Sequence, residues 1–136
     1  MKTLNLKKAL VSVLAVGVIS SASVITASAR QIGEFSDFKV TYSGNEKFTD
    51  YLLKFTTGLD GVVNLSDDTG TAWITANMKN SNGVYRGGVT LQRGTRATFA
   101  TTNAQAGYEY RLGLKKTNNT GGGSVTICGS WSPDEY

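Results

Sequence analysis

The chain has 136 residues, with 14 Lys or Arg against 10 Asp or Glu, one cysteine and no histidine. The missing histidine removes the commonest general base and the commonest transition-metal ligand, so Ser-His-Asp, Cys-His and His-based zinc sites are excluded. A single cysteine, Cys128, rules out an intrachain disulfide, so stability must come from packing.

Residues 1–29 have the tripartite layout of a secretory signal. Lys2, Lys7 and Lys8 make a basic start, and Ala9 to Ile19 is apolar except for Ser12 and Gly17. Ala27-Ser28-Ala29 supplies the small residues that a signal peptidase accepts, which predicts cleavage between Ala29 and Arg30. The apolar run is short for a membrane span. The expected product is a single extracellular domain, Arg30 to Tyr136, of 107 residues (136 less 29). The residue after the cut is arginine, not the cysteine of a lipoprotein, and no wall-sorting pattern or apolar tail follows, so release is expected with no membrane anchor. Removing the three signal lysines leaves 11 basic residues against 10 acidic ones. A nearly neutral domain lacks the concentrated basic surplus of a nucleic-acid binder.

From there the pattern has period two and is punctuated by glycine. Phe38, Val40 and Tyr42 alternate with polar residues as a first strand, ended by Ser43-Gly44-Asn45. Tyr51, Leu53 and Phe55 predict a second strand with one apolar face; a short helix from Lys47 competes with it but sits poorly with the nearby aromatics and threonines. Asp60-Gly61 is a tight-turn signal, and Val62 to Leu65 is a short third strand. Thr71 to Met78 is the fourth, with Ala72, Ile74, Ala76 and Met78 on one face and Trp73, Thr75 and Asn77 on the other. After the Asn80-Ser81-Asn82-Gly83 turn, Val84 to Leu91 is the fifth, and Gly87-Gly88 inside it signals a bulge or a close backbone approach. Thr95 to Thr101 follows, then a turn over Asn103 to Gly107. Tyr108, Tyr110, Leu112 and Leu114 form the cleanest alternation. Ser124 to Trp131 is the last strand, with Val125, Ile127 and Trp131 on one face, and Pro133 to Tyr136 reads as a short acidic tail. About eight short strands, no helical period and 15 glycines after residue 29, about twice the usual share of roughly 7%, predict an antiparallel β-sandwich, with a small closed barrel as the alternative.

Several residue groups carry a chemical reading beside a plainer one. Asp60, Asp67 and Asp68 offer the oxygen ligands that calcium prefers, but their spacing misses the twelve-residue calcium loop and aspartate is ordinary turn chemistry. No metal or cofactor is expected. Trp73, Tyr85, Tyr108, Tyr110 and Trp131 suit either a sugar-binding platform or core packing. Trp73 faces away from the regular apolar side of its strand, so Trp73 and Tyr85, with Arg86 and Arg93, form the candidate ligand platform, and Trp131 is assigned to the core. Arg86, Arg93, Arg96, Arg111, Lys115 and Lys116 form a basic concentration suited to anionic wall polymers or lipid headgroups, or simply to solvated strand faces. Thr117 to Gly123 is a glycine-rich loop without the helix and lysine of a phosphate cradle. The Asn64 and Asn118 sequons have little meaning behind a bacterial-type signal. Cys128 is expected to behave as a small, partly buried apolar residue.

The signal, the Phe38-Lys39-Val40-Thr41-Tyr42 strand, the Tyr108–Leu114 alternation and the ending Gly129-Ser130-Trp131-Ser132-Pro133-Asp134 together resemble small secreted proteins of Gram-positive bacteria. Several of those end in a Gly-x-Trp-x-x-Asp/Glu signature, and some are encoded near export systems of the bacteriocin type. The resemblance implies a secreted β-rich domain and no catalytic residues; Cys128 departs from its pattern. The expected function is a secreted, non-catalytic interaction protein for a cell-wall polymer, surface glycan or matrix component. The alternatives are a bacteriocin-like or membrane-active effector, whose best amphipathic segment would be Val84 to Phe99, and a small hydrolase using carboxylates alone.

Overall fold

Period-two patterning broken by glycine turns produces nine strands and no helix in the computed structural model, which describes residues 30–66, 71–119 and 122–136. The strands are β1 (Gly33–Thr41), β2 (Lys47–Phe48), β3 (Leu52–Leu53), β4 (Gly61–Leu65), β5 (Trp73–Asn80), β6 (Tyr85–Gln92), β7 (Arg96–Phe99), β8 (Glu109–Lys116) and β9 (Ser124–Ser132). They form two antiparallel sheets. The first has the order β1-β9-β4-β7; the second has the order β2-β8-β5-β6, with β3 also pairing β8. The sheets stack as a sandwich and do not close into a barrel. The expected signal with its expected cleavage point after Ala29, the Asp67–Asp68 carboxylates and the Thr120-Gly121 part of the glycine-rich loop lie outside the described residues.

The inward faces follow the alternation. Ile74, Ala76 and Met78 of β5 and Tyr110, Leu112 and Leu114 of β8 face Val40, Val63, Leu65, Phe99, Ile127 and Trp131 of the other sheet. β8 and β9, the two cleanest alternating strands, therefore lie in opposite sheets and meet across the core; they are not hydrogen-bonded neighbours. Trp131 is fully buried in β9 beside Val63. Its Nε1–H has no acceptor among the described residues.

Four local expectations give way to the structure. β1 begins five residues before Phe38 and is bulged between Phe35 and Phe38, where Asp37 takes φ 50°. The bulge re-aims the strand, so Phe35 joins Val40 in the core while Tyr42 is exposed. Gly61 does not close a hairpin: it opens β4, and its missing side chain leaves room for the Phe99 ring, which a Cβ would meet at 2.3 Å. Gly87, by contrast, sits at the expected bulge, with φ 141° and a would-be Cβ 2.4 Å from Ala100 O. The last two departures belong together. Tyr51 to Phe55 is not one alternating strand, and Pro133 to Tyr136 is not a loose tail.

Lys54 is buried while Tyr51 and Phe55 stand at the surface, the reverse of the expected faces. The reason is Asp134, also buried, whose Oδ1 lies 3.1 Å from Lys54 Nζ. The ammonium donates its three hydrogens to Asp134 Oδ1, Leu59 O at 2.8 Å and Pro133 O at 2.5 Å. The carboxylate in turn accepts from Phe55 N at 2.7 Å and Thr56 N at 3.2 Å. A buried charge pair is tolerated when its remaining hydrogen-bonding capacity is filled in this way. Charge satisfaction thus overrides hydrophobic alternation at Lys54 and draws the last residues onto the domain, where Glu135 N also donates to Asp60 O.

Candidate functional site

The clearest concave site lies at the end of the sandwich where β5 turns into β6. Asn80 organises the turn. Its side-chain Oδ1 accepts from Asn82 N at 3.0 Å and Val84 N at 2.9 Å, and Gly83 takes the positive φ that the tight return needs. β8 runs beside β5 with Tyr110 level with Asn80, so the loop leading into β8 meets this turn.

That loop, residues 100–108, is pinned along its length. Thr102 N donates to Arg86 O at 2.9 Å, and Thr101 Oγ1 to Leu59 O at 3.2 Å. Ala104 is buried as an anchor, and Gln105 N donates to the hydroxyl of buried Tyr110 at 2.9 Å. Ala106 N donates to Thr57 Oγ1, and Gly107 N to Lys54 O, both at 2.8 Å. Lys54 N returns a bond to Tyr108 O at 3.0 Å, so the buried Lys54 corner holds the loop in place.

Between turn and loop is an open groove of about 430 Å3, lined by Asn80, Ser81, Asn82, Arg86, Asn103, Gln105, Tyr108, Glu109 and Tyr110. Asn103 is held at φ 52°, a conformation that asparagine tolerates better than most residues. Tyr108 is 61% exposed and offers a ring at the rim. The lining carries one guanidinium, one carboxylate and several amides. Amides present donor and acceptor together, which suits vicinal hydroxyls, and Arg86 and Glu109 extend the same set in each direction. The volume falls within the range of small-molecule sites.

The structure divides the residues picked from sequence. Tyr85 is exposed at this end and Arg86 lines the groove. Trp73, 42% exposed, pairs with Gln92 at the far end of the same hairpin, six residues from the Lys79–Tyr85 pair, or about 20 Å along the strand. Arg93 lies beyond Gln92 at that far end. Trp73, Tyr85, Arg86 and Arg93 are therefore two pairs, not one platform, because alternation places residues on a face without limiting their spread along it. Tyr110 and Trp131 belong to the core. The basic group also separates. Arg111 and Lys115 face outward from the second sheet, Arg96 bonds Tyr136 O from the first sheet, and Lys116 is buried and donates to Asn118 O at 2.6 Å. Cys128 is half-buried in β9, beside a shallow depression of about 360 Å3 with Glu34, Ser36, Ser66 and Ser130.

Asn80, Asn103, Gln105 and Glu109 were not singled out from sequence as site residues. Their signal was two amide-bearing turns, each next to an exposed tyrosine, and only the β6-β5-β8 strand order brings those turns together. No protein-family model matches this chain, and neither the curated proteins nor the solved structures contain a match.

Proposed function

We propose that this chain is a secreted, non-catalytic binding module that holds a hydroxyl-rich cell-surface, wall or matrix glycan in the groove between the β5–β6 turn and the 100–108 loop. The observation that carries this reading is a groove with a pinned loop and four side-chain amides among its nine lining residues, with an exposed Tyr108 ring at its rim. Its loop is tied at Thr102, Gln105, Ala106 and Gly107, so little ordering cost falls on the ligand. Amides select hydroxyl patterns, and a tyrosine ring supplies apolar contact with a polar tip.

The test is binding of protein purified from culture supernatant to isolated Gram-positive walls. The protein should begin at Arg30 and sediment with the walls. Tyr108→Ala and Gln105→Ala should each weaken the association about tenfold or more, as truncation at a binding hot spot does, without a change in melting temperature. Equal sedimentation of wild type and both variants, or growth inhibition of related cells without wall binding, would contradict the reading.

A further inference from the structure

The outward face of the second sheet is a separate surface. On β5, Trp73, Thr75, Asn77 and Lys79 point outward because Ile74, Ala76 and Met78 fill the core. Antiparallel register sets Lys115 of β8 beside Thr75, and Arg111 beside Lys79. Strand geometry puts Lys115 and Arg111 about 13 Å apart and Trp73 about 7 Å beyond Thr75 on one face, with the Phe48 and Glu46 side chains lying over Gly113 between the two cations.

The charges on this face do not cancel. Glu46 is taken by Lys79 at 2.5 Å and also accepts from Asn77 Nδ2 at 2.9 Å. Glu109 lies past the Asn80–Tyr110 pair, in the end groove. Neither Lys115 nor Arg111 makes an ion pair among the described residues. Arg111 is also pre-oriented: its guanidinium carbon lies 3.8 Å from the Phe48 ring centroid and 5.1 Å from that of Tyr51. Its Nε is buried and without an acceptor among the described residues. Stacking fixes the plane of a guanidinium and leaves its edge for an anion.

The rest of the face suits sugar rings. Thr75 Oγ1 lies 3.2 Å from Thr90 Oγ1 and 2.8 Å from Thr117 Oγ1, which forms a row of hydroxyls across three strands or their ends. A depression of about 390 Å3 is lined by Tyr42, Glu46, Thr75, Asn77, Lys115, Lys116 and Thr117, and its one carboxylate, Glu46, is already bonded to Lys79 and Asn77. The Trp73 ring stands exposed at one end of the row. A small anion would reach one cation only. Reaching Trp73, Lys115 and Arg111 together takes a ligand about 20 Å long.

We propose that this face binds an extended anionic glycan chain along β5. Its rings lie over Trp73 and the threonine row, and its acidic groups meet Lys115 and Arg111. The surface is distinct from the end groove, so either can fail without the other.

The test is a titration of the secreted protein with oligogalacturonate, a carboxylate-bearing chain, beside neutral chitohexaose and vesicles of phosphatidylglycerol in phosphatidylcholine. Oligogalacturonate should bind and weaken with rising salt, as exposed charge contacts do. Lys115→Glu and Trp73→Ala should each weaken it about tenfold or more at an unchanged melting temperature. Tyr108→Ala, in the other site, should change it by less than about twofold. The proposal is overturned by no binding to oligogalacturonate, by equal binding of the neutral hexamer, by binding that survives Lys115→Glu, or by binding to the vesicles in place of the oligosaccharide.

Discussion

The Lys54–Asp134 pair beneath the groove and the Lys79–Glu46 pair on the second sheet have the same chemistry in opposite settings. Lys54 and Asp134 are 0% and 1% exposed and 3.1 Å apart; Lys79 and Glu46 are 25% and 14% exposed and 2.5 Å apart. The shorter contact is not the more consequential one. In the corner every ammonium hydrogen has an acceptor, and the carboxylate takes two main-chain amides as well, so removing one partner strands a buried charge. On the sheet face either partner left alone reaches water. The corner also holds the chain that frames the groove, whereas on the sheet face Lys115 and Arg111 make no ion pair among the described residues. A fully satisfied pair holds the corner, and the cations left without an ion pair are where anion binding is proposed.

The sharpest way to break this contrast is to remove one member of each pair. Lys54→Ala should cost about 3–5 kcal/mol, because Asp134 is then buried without its cation. That is a large share of the roughly 5–15 kcal/mol of a typical domain, and denaturant unfolding should show it as a lower midpoint. The double variant Lys54→Met/Asp134→Leu should be clearly more stable than Lys54→Ala, since it removes both charges together. If the double variant is the worse of the two, the corner is held by something other than charge satisfaction. Trp131→Ala should match Lys54→Ala at about 3–5 kcal/mol from lost core volume, and thermal melting of the two side by side ranks packing against pairing.

Smaller effects refine the picture. Gly87→Ala should destabilise by about 1–3 kcal/mol, since φ 141° is costly for alanine and the new Cβ would press on Ala100 O. Glu46→Gln should change stability by no more than about 1 kcal/mol, because the pair is partly exposed and solvent screens it. A larger loss at Glu46 would show that the sheet-face pair is structural too.

Much of the architecture was legible in the residues. Ile74, Ala76 and Met78, and Tyr110, Leu112 and Leu114, announce their faces through strict alternation, and Gly87 announces its bulge, but Tyr108, first in the second alternation, precedes β8 and is exposed. Lys54 was not legible, because alternation treats a lysine as solvent-facing and says nothing of an aspartate 80 residues away in sequence that fills its bonds. Asp134 read as part of a tail for the same reason. The end groove was half visible: the asparagine turns at Asn80 and Asn103 were plain as turns. Their adjacency depends on β5 lying between β6 and β8, a long-range pairing that no local pattern encodes. Trp73 read as facing away from the regular apolar side of its strand and is exposed, yet distance along the hairpin separates it from Tyr85.

The claim that the end groove is a binding site is tested most directly by titrating the isotopically labelled protein with solubilised wall glycan fragments and following the backbone amide resonances. The account predicts saturable shifts concentrated at Asn80, Asn82, Asn103, Gln105 and Tyr108, abolished by Tyr108→Ala. Absence of shifts there, or shifts confined to Trp73, Thr75 and Lys115 on the second sheet, would contradict it.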